Sequence, residues 1–335
     1  MDRFLCLIKK YYQFYTYDKS SGIVFDNGQK LPTDHLVYQI IQKYRLPLHL
    51  ENIQITRVST MEEADNGIVY IGIDKKGKTQ YIYGNNFVQA RNSKRSEIFV
   101  KVYNKIKYIE ERINTGLKKS NNSDIGINFL FAVILLLELT FFIRLGKKKY
   151  FKDNETIGLL TLQKDHLTVT NKEIQISFKG KSNQVQVFHC QKHLQPILFS
   201  VLIRLLANKN GNPLLFSDST GKTFTESKLY EMIKEFDIKF KDLRTYGVNI
   251  IFLQHVYENI DDFRKGNERF KKRLITALQK QTAEEIGHTW NSSKRAYLID
   301  EIYPILLHII MTEDFSSFSM FLERIVLYLN NGKKK

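Results

Sequence analysis

The chain is poor in cysteine, proline and tryptophan, with two, five and one in 335 residues. The two cysteines, Cys6 and Cys190, lie too far apart in sequence to frame a small disulfide scaffold, and they suit an intracellular, reducing home. Acidic residues are scarce beside basic ones: 35 Asp and Glu against 51 Lys and Arg, a net charge of +16 at pH 7. That imbalance exceeds what solubility needs and favours a polyanionic partner, nucleic acid before an anionic membrane surface. Internal repeats are lacking, and the Lys333–Lys335 tail is the one low-complexity tract. The amino-terminal MDRFLCLIKKYYQF has too short an apolar core for a secretory signal. Long apolar runs are missing too, except for Ile125–Leu145. That run is long enough to cross a bilayer, but Asn128 and Glu138 lie within it, and an acid inside a span is costly. It reads instead as a helix buried on all sides in a helical core.

Hydrophobic residues make up 43% of the chain, enough for two domains with real cores. The first part reads as a small β-rich domain, residues 1–88. Gly67–Asp74 and Thr79–Gly84 alternate about a Lys75-Lys76-Gly77-Lys78 turn, which is a hairpin signal. Short helices are expected at Thr33–Tyr44 and around Met61–Ala64. Residues 89–95, a basic stretch, are the expected linker. Residues 96–335 form the expected mainly helical domain. Its helices are read at Ile98–Thr115, Ile125–Leu145, Gln195–Asn208, Glu226–Glu235 and Ile275–Ile286. Gly158–Leu162, Glu173–Phe178 and Gln184–His189 alternate with period two and predict a three-stranded antiparallel sheet. Ser292 or Ser293 is expected to cap a further helix that carries Tyr297 and stops before Pro304.

Several familiar chemistries fit poorly. Gly180-Lys181-Ser182 lacks the upstream glycine of a P-loop and lies between strands. His189, Cys190 and His193 have no second half at zinc-ligand spacing. The acid pairs Glu62-Glu63, Asp261-Asp262 and Glu284-Glu285 do not alternate along a strand as a two-metal nuclease requires.

A different set suits attack on a phosphodiester without a metal. The string Lys241-Asp-Leu-Arg244-Thr-Tyr246-Gly247 is followed by Gly287-His288-Thr-Trp-Asn-Ser292-Ser293-Lys294-Arg-Ala-Tyr297. Arg144 closes the apolar helix and Lys181 lies at the tip of a hairpin. A tyrosine hydroxyl can attack phosphorus and hold it covalently. Two guanidiniums and an imidazole can take the charge that spreads onto the non-bridging oxygens. A lysine can protonate the leaving 5′ oxygen. Each residue alone has an ordinary explanation: core tyrosine, helix-closing arginine, solvated lysine. The joint order and spacing carry the signal.

That order resembles the poxvirus-type type IB DNA topoisomerases. KxxRTY, here Lys241–Tyr246, is similar to their second-arginine motif. Gly287-His288 followed by Ser293-Lys294-Arg-Ala-Tyr297 is similar to their nucleophile motif. Phe141–Leu162 and Gln80–Arg95 look like the poxvirus enzymes in particular. The likeness runs from about Leu46 to just past Tyr297, and 255–272 departs from the pattern. The resemblance implies an α+β fold, a two-domain C-shaped clamp that closes on double-stranded DNA. It implies Tyr297 as nucleophile, Arg144, Arg244 and His288 on the phosphate, and Lys181 as general acid, with Arg144 assisting departure of the leaving group. It implies DNA contacts for Gln80, Tyr81 and Tyr83, and positions near DNA for Lys149, Tyr150, Lys241 and Asn249. Relaxation would proceed through a 3′-phosphotyrosyl intermediate, with no cofactor, ATP or metal. The enzyme would work as a monomer without a membrane, in a virion or the host cytoplasm if the source is a virus. Two other readings are a tyrosine recombinase, which shares the catalytic set but needs a synapse of protomers, and a basic DNA-binding protein without catalysis.

Overall fold

The computed structural model describes residues 12–47, 49–118, 125–146, 151, 156–180, 184–299 and 302–331. Lys149, Tyr150 and Lys181, all singled out above, lie outside the described residues. The chain forms two compact units, Met1–Lys94 and Arg95–Lys335.

The first unit is built on a six-stranded antiparallel sheet in the order β3-β2-β1-β4-β5-β6. Its strands are β1 (Phe14–Asp18), β2 (Ile23–Asp26), β3 (Gln29–Lys30), β4 (Glu51–Thr56), β5 (Ile68–Ile73) and β6 (Thr79–Tyr83). The expected hairpin pairs β5 with β6, Ile71 facing Tyr81 and Ile73 facing Thr79. The Asp74 carboxylate accepts from the Lys76 and Lys78 N–H groups, and Gly77 takes the left-handed conformation at φ 70° that closes the turn. Helices α1 (Leu36–Tyr44) and α2 (Met61–Asn66) lay Val37, Ile40 and Ala64 on a core of Val24, Ile53, Ile55 and Val69. Alternation along β6 sends Ile82 into that core, while Tyr81 and Tyr83 pack on the other face with Tyr12, Phe14, Ile68 and Ile71.

Helix α3 (Asn85–Tyr103) contains the stretch 89–95, the expected linker. The stretch is helical, with no glycine or proline to break a helix, and Arg95 and Ser96 are buried. The division between the units falls inside this helix. The expected helix Ile98–Thr115 is two elements, α3 and α4 (Ile106–Lys118), parted at Asn104-Lys105.

The second unit is mainly helical. The apolar run forms α5 (Ile127–Phe141), buried on nearly every side from Phe129 to Glu138. It packs against α4, α6 (Pro196–Ala207) and α8 (Phe240–Glu258). Each large side chain so buried contributes about 1.5–3 kcal/mol, so α5 is the pillar of this core. Among the described residues no helix is long and apolar enough to cross a membrane. The remaining helices are α7 (Glu226–Ile233), α9 (Ile260–Lys265), α10 (Glu268–Glu285), α11 (Trp290–Ala296), α12 (Ile302–Thr312) and α13 (Phe318–Asn331).

The three-stranded antiparallel sheet is present, but its first strand differs from the one expected. It runs β7 (Leu167–Val169), β8 (Glu173–Lys179) and β9 (Val185–Gln191). Leu159–Thr161 is a 3-10 turn, with Leu159, Leu160, Thr161 and Leu162 all buried, so no face of it alternates toward water. Its N–H groups go elsewhere than the sheet: Leu159 donates to Arg144 O at 2.7 Å and Leu160 to Leu145 O at 2.8 Å. β8 and β9 do alternate, with Ile174, Ile176, Phe178, Phe188 and Cys190 inward and Val185 and Val187 exposed.

Candidate active site

Arg144 follows the end of α5. That helix stops because Phe142 turns left-handed, at φ 50°, and returns its N–H to Glu138 O at 2.9 Å. Gly146, at φ 67°, and Gly158 then meet backbone to backbone. A Cβ on Gly146 would lie 2.6 Å from the Gly158 Cα, and one on Gly158 would lie 2.4 Å from Arg144 O. Glycine at both places allows the crossing that fixes the Arg144 peptide.

Arg244 stands on α8 and is 6% exposed. One turn on, Gly247 lets α8 pass the Phe142 ring, since a Cβ there would lie 1.8 Å from Phe142 Cε1. Burial works against the Arg244 charge and lowers its pKa, while the Glu138 carboxylate and the Tyr297 oxygen favour the charged form and nearby Arg144 opposes it. Among the described residues, the Arg244 Nε and the Glu138 Oε2 are buried without a hydrogen-bond partner. Burial pushes the Glu138 carboxyl up to about 8 against the pull of Arg244.

His288 follows Gly287, whose φ of 63° makes the turn out of α10. Gln186 of β9 reaches under this turn and donates from Nε2 to Gly287 O at 3.3 Å. Tyr297 lies just beyond α11, at the C-cap, and the N-cap is Thr289 rather than Ser292 or Ser293. Thr289 precedes both serines and its Oγ1 accepts from the Ser292 N–H at 3.3 Å. The helix does stop before Pro304, at Ala296, and Pro304 lies in the first turn of the next helix, α12, where an N–H has no partner. The His288 and Tyr297 rings stack, with centroids 5.0 Å apart and planes 20° apart. Such a pair is worth about 1 kcal/mol, roughly a fivefold bias toward this ring orientation. Lys241 Nζ lies 5.7 Å from the centre of the Tyr297 ring. Trp290, the first residue of α11, has Lys280 Nζ 5.5 Å and Lys294 Nζ 5.3 Å from its ring.

Two clefts share Arg144 and Arg244. One is lined also by His288, Gly287, Gln186 and the hairpin roots Gly180 and Gln184; the other by Tyr297, Lys241 and Glu138. Arg144, Arg244, His288, Tyr297 and Lys241 are therefore brought together from positions spread over more than 150 residues. Gly180 and Gln184, the described residues on either side of Lys181 in sequence, line the first of these clefts. Gln80, Tyr81 and Tyr83 stand on β6 of the first unit, half-buried, with the Gln80 amide donating to Asp74 at 2.7 Å.

Asn249, expected near DNA, is fully buried. Its Nδ2 donates to Thr245 O at 2.7 Å and Tyr297 O at 3.0 Å, and its Oδ1 accepts from Ile299 N at 3.1 Å. With its amide so engaged, it braces the Tyr297 backbone instead of facing a ligand. Sequence reasoning missed two further residues at this site. Glu138 entered it only as an argument against a membrane span, and Arg95 as one of the basic residues expected to line the DNA face, whereas it is buried with its guanidinium on backbone carbonyls. A charged residue flanked by apolar ones, as in Leu137-Glu138-Leu139, was the available signal for the first.

A cleft that gathers fixed positive charge beside an oriented tyrosine suits a phosphodiester, and enzymes that break and rejoin DNA are the class it defines. Residues 10–72 match the family model of the viral DNA topoisomerase I N-terminal domain, and residues 84–299 match that of the eukaryotic DNA topoisomerase I catalytic core. The chain belongs to the viral type IB DNA topoisomerase family and is a DNA topoisomerase. It is 40% identical to the DNA topoisomerase 1B of vaccinia virus (strain Copenhagen) over 286 residues, 85% of this chain and 87% of that protein. It is 36% identical to the DNA topoisomerase 1 of rabbit fibroma virus (strain Kasza) over 297 residues, 88% of this chain and 90% of the other. The DNA topoisomerase 1B of Acanthamoeba polyphaga mimivirus is 26% identical over 293 residues, 84% of this chain and 83% of that one. The first family match begins at residue 10, well before Leu46, so the amino-terminal segment departs less from the family than its sequence suggested. Among solved structures, the XerH site-specific recombinase bound to palindromic difH substrate aligns with a TM-score of 0.35 and 17% identity. That alignment covers 59% of this chain and 50% of that one.

Proposed function

We propose that this enzyme relaxes supercoiled duplex DNA through a transient break in one strand, with Tyr297 as the attacking residue. The observation that carries this reading is the Tyr297 ring stacked on His288 in clefts shared by Arg144 and Arg244. In this reading the Tyr297 oxygen attacks the phosphorus and the bond to the 5′ oxygen breaks. The 3′ phosphate stays on the tyrosine while the 5′ hydroxyl is free to swivel and attack back. Arg144, Arg244 and His288 hold the non-bridging oxygens as negative charge grows on them. Lys181, between the hairpin roots that border the cleft, protonates the departing 5′ oxygen. The phosphotyrosyl ester keeps the free energy of the broken bond, so resealing needs no further input.

The DNA itself is held by basic residues on phosphates, with Tyr81 and Tyr83 of the first unit as further contacts and Lys241, Lys149 and Tyr150 near the duplex. All five groups of the chemistry come from one chain, which supports action as a monomer. Viral relatives support a virion or an infected cell as its place of action.

The test is relaxation of negatively supercoiled plasmid in EDTA without ATP, with detergent trapping of the covalent complex. Wild type relaxes the plasmid and is trapped on it, whereas Tyr297→Phe does neither yet still binds DNA. Covalent capture by Tyr297→Phe would remove the assignment.

A further inference from the structure

Arg95 is 5% exposed and has no part in the chemistry above. It stands on α3, yet its guanidinium is spent on the peptide around Tyr297, some two hundred residues along the chain. Nη1 donates to Leu298 O at 2.6 Å and to Lys294 O at 3.2 Å, and Nη2 donates to Arg295 O. Lys294 and Arg295 belong to the last turn of α11, whose carbonyls have no partner within the helix. A cation there satisfies them and complements the negative end of the helix dipole. Leu298 is the residue after Tyr297.

Tyr297 needs such support because it has left the helix. Its backbone sits at φ −133°, ψ −48°, held by its own N–H on Ser293 O at 3.0 Å. Asn249 takes Tyr297 O and Ile299 N. Arg95 takes the carbonyls before and after. Two side chains from other helices thus fix both flanks of the one residue whose hydroxyl must meet phosphorus in line.

We propose that Arg95 is a positioning residue for Tyr297: its guanidinium anchors the end of α11 so that the tyrosine hydroxyl is held at attacking distance. The inference rests on the reading of Tyr297 as the attacking residue. Lysine in place of Arg95 keeps the charge but is a single point donor, and it cannot reach three carbonyls in the geometry of a planar fork.

Breakage and resealing pass through one transition state between Tyr297 and phosphorus. A misplaced tyrosine therefore slows both directions and leaves the balance between them in place. The experiment follows the approach to detergent-trapped nicked plasmid with enzyme in excess, reading the rate constant and the plateau separately. Arg95→Ala should lower the rate constant about a hundredfold, the cost of a displacement near 1 Å at a reacting group. Its plateau should equal that of wild type, and DNA affinity measured in a Tyr297→Phe background should be the same with and without Arg95→Ala. Arg95→Lys should recover part of the rate. A normal rate constant with a lowered plateau would mean that Arg95 only keeps molecules folded, and would overturn the proposal, as would a rate within about threefold of wild type. If Arg95→Ala does not fold, Arg95→Lys decides, and a wild-type rate in that variant overturns it. If Tyr297→Phe is trapped as wild type is, the assignment of Tyr297 has failed and this inference goes with it. If only Tyr297→Phe loses trapping while both Arg95 variants match wild type, this inference alone has failed.

Discussion

Glu138 is a carboxyl placed where water does not reach, and that placement has a thermodynamic signature. Burial raises its pKa from the ordinary 4.5 to about 8. The folded protein therefore holds a proton on Glu138 over a range where the unfolded chain releases it. The stability linked to that proton is whole below about pH 4.5 and is lost as pH rises through about 8. Wild type should lose stability across this window by up to about 1.4 kcal/mol per pH unit from this group. Glu138→Gln should remove that component, so that urea midpoints of the two proteins, close near pH 5, diverge by pH 8; parallel profiles would show Glu138 to titrate normally. At this scale the sequence was informative where order and spacing repeat a known pattern. Arg144, Arg244, His288 and Tyr297 were legible together, and the fold gathers them. Asn249 was legible as a position near DNA and Arg95 as a basic residue of the DNA face, but neither as a buried brace, because their partners are backbone groups, which carry no residue-type signal.

Two elements cross where one has no side chain. Alanine at Gly247 would favour the α8 helix by about 1 kcal/mol on propensity. Its methyl group, however, would fall inside the Phe142 ring, and such overpacking costs about 1–3 kcal/mol. The clash wins, and the ring it displaces is two residues from Arg144. Gly247→Ala should therefore lower the melting temperature and slow plasmid relaxation together; an unchanged melting temperature would show that the ring has room to move. The hairpin of β5 and β6 could be read from its apolar strands about a Lys-Lys-Gly-Lys turn, β8 and β9 from their alternation, and α5 from the length of its apolar run. Strands β1, β2 and β3 could not: they are short, and apart from the buried Val24 their residues are half-buried or exposed rather than cleanly alternating. The 3-10 turn at Leu159–Thr161 reads as a strand because a short apolar run does not show in sequence that both of its faces are buried.

For the molecule as a whole, the net charge of +16 dominates the encounter with DNA. Each phosphate neutralised should contribute about −0.9 to the slope of log affinity against log salt. With six to ten such contacts, binding should weaken by roughly 10³ to 10⁵ between about 50 and 200 mM salt. Tyr297→Phe should show the same slope as wild type, since the substitution leaves every lysine and arginine in place; a salt-insensitive affinity in filter binding would contradict the electrostatic reading. The charge was legible from composition alone, whereas its arrangement on a surface was not. One more property follows from where Trp290 sits. It is the chain's one tryptophan, it opens the helix that leads to Tyr297, and two ammonium groups lie near its indole. The protein's intrinsic tryptophan emission thus comes from a single point at the start of the helix that precedes Tyr297, so this enzyme carries an optical reporter for that segment without any label attached.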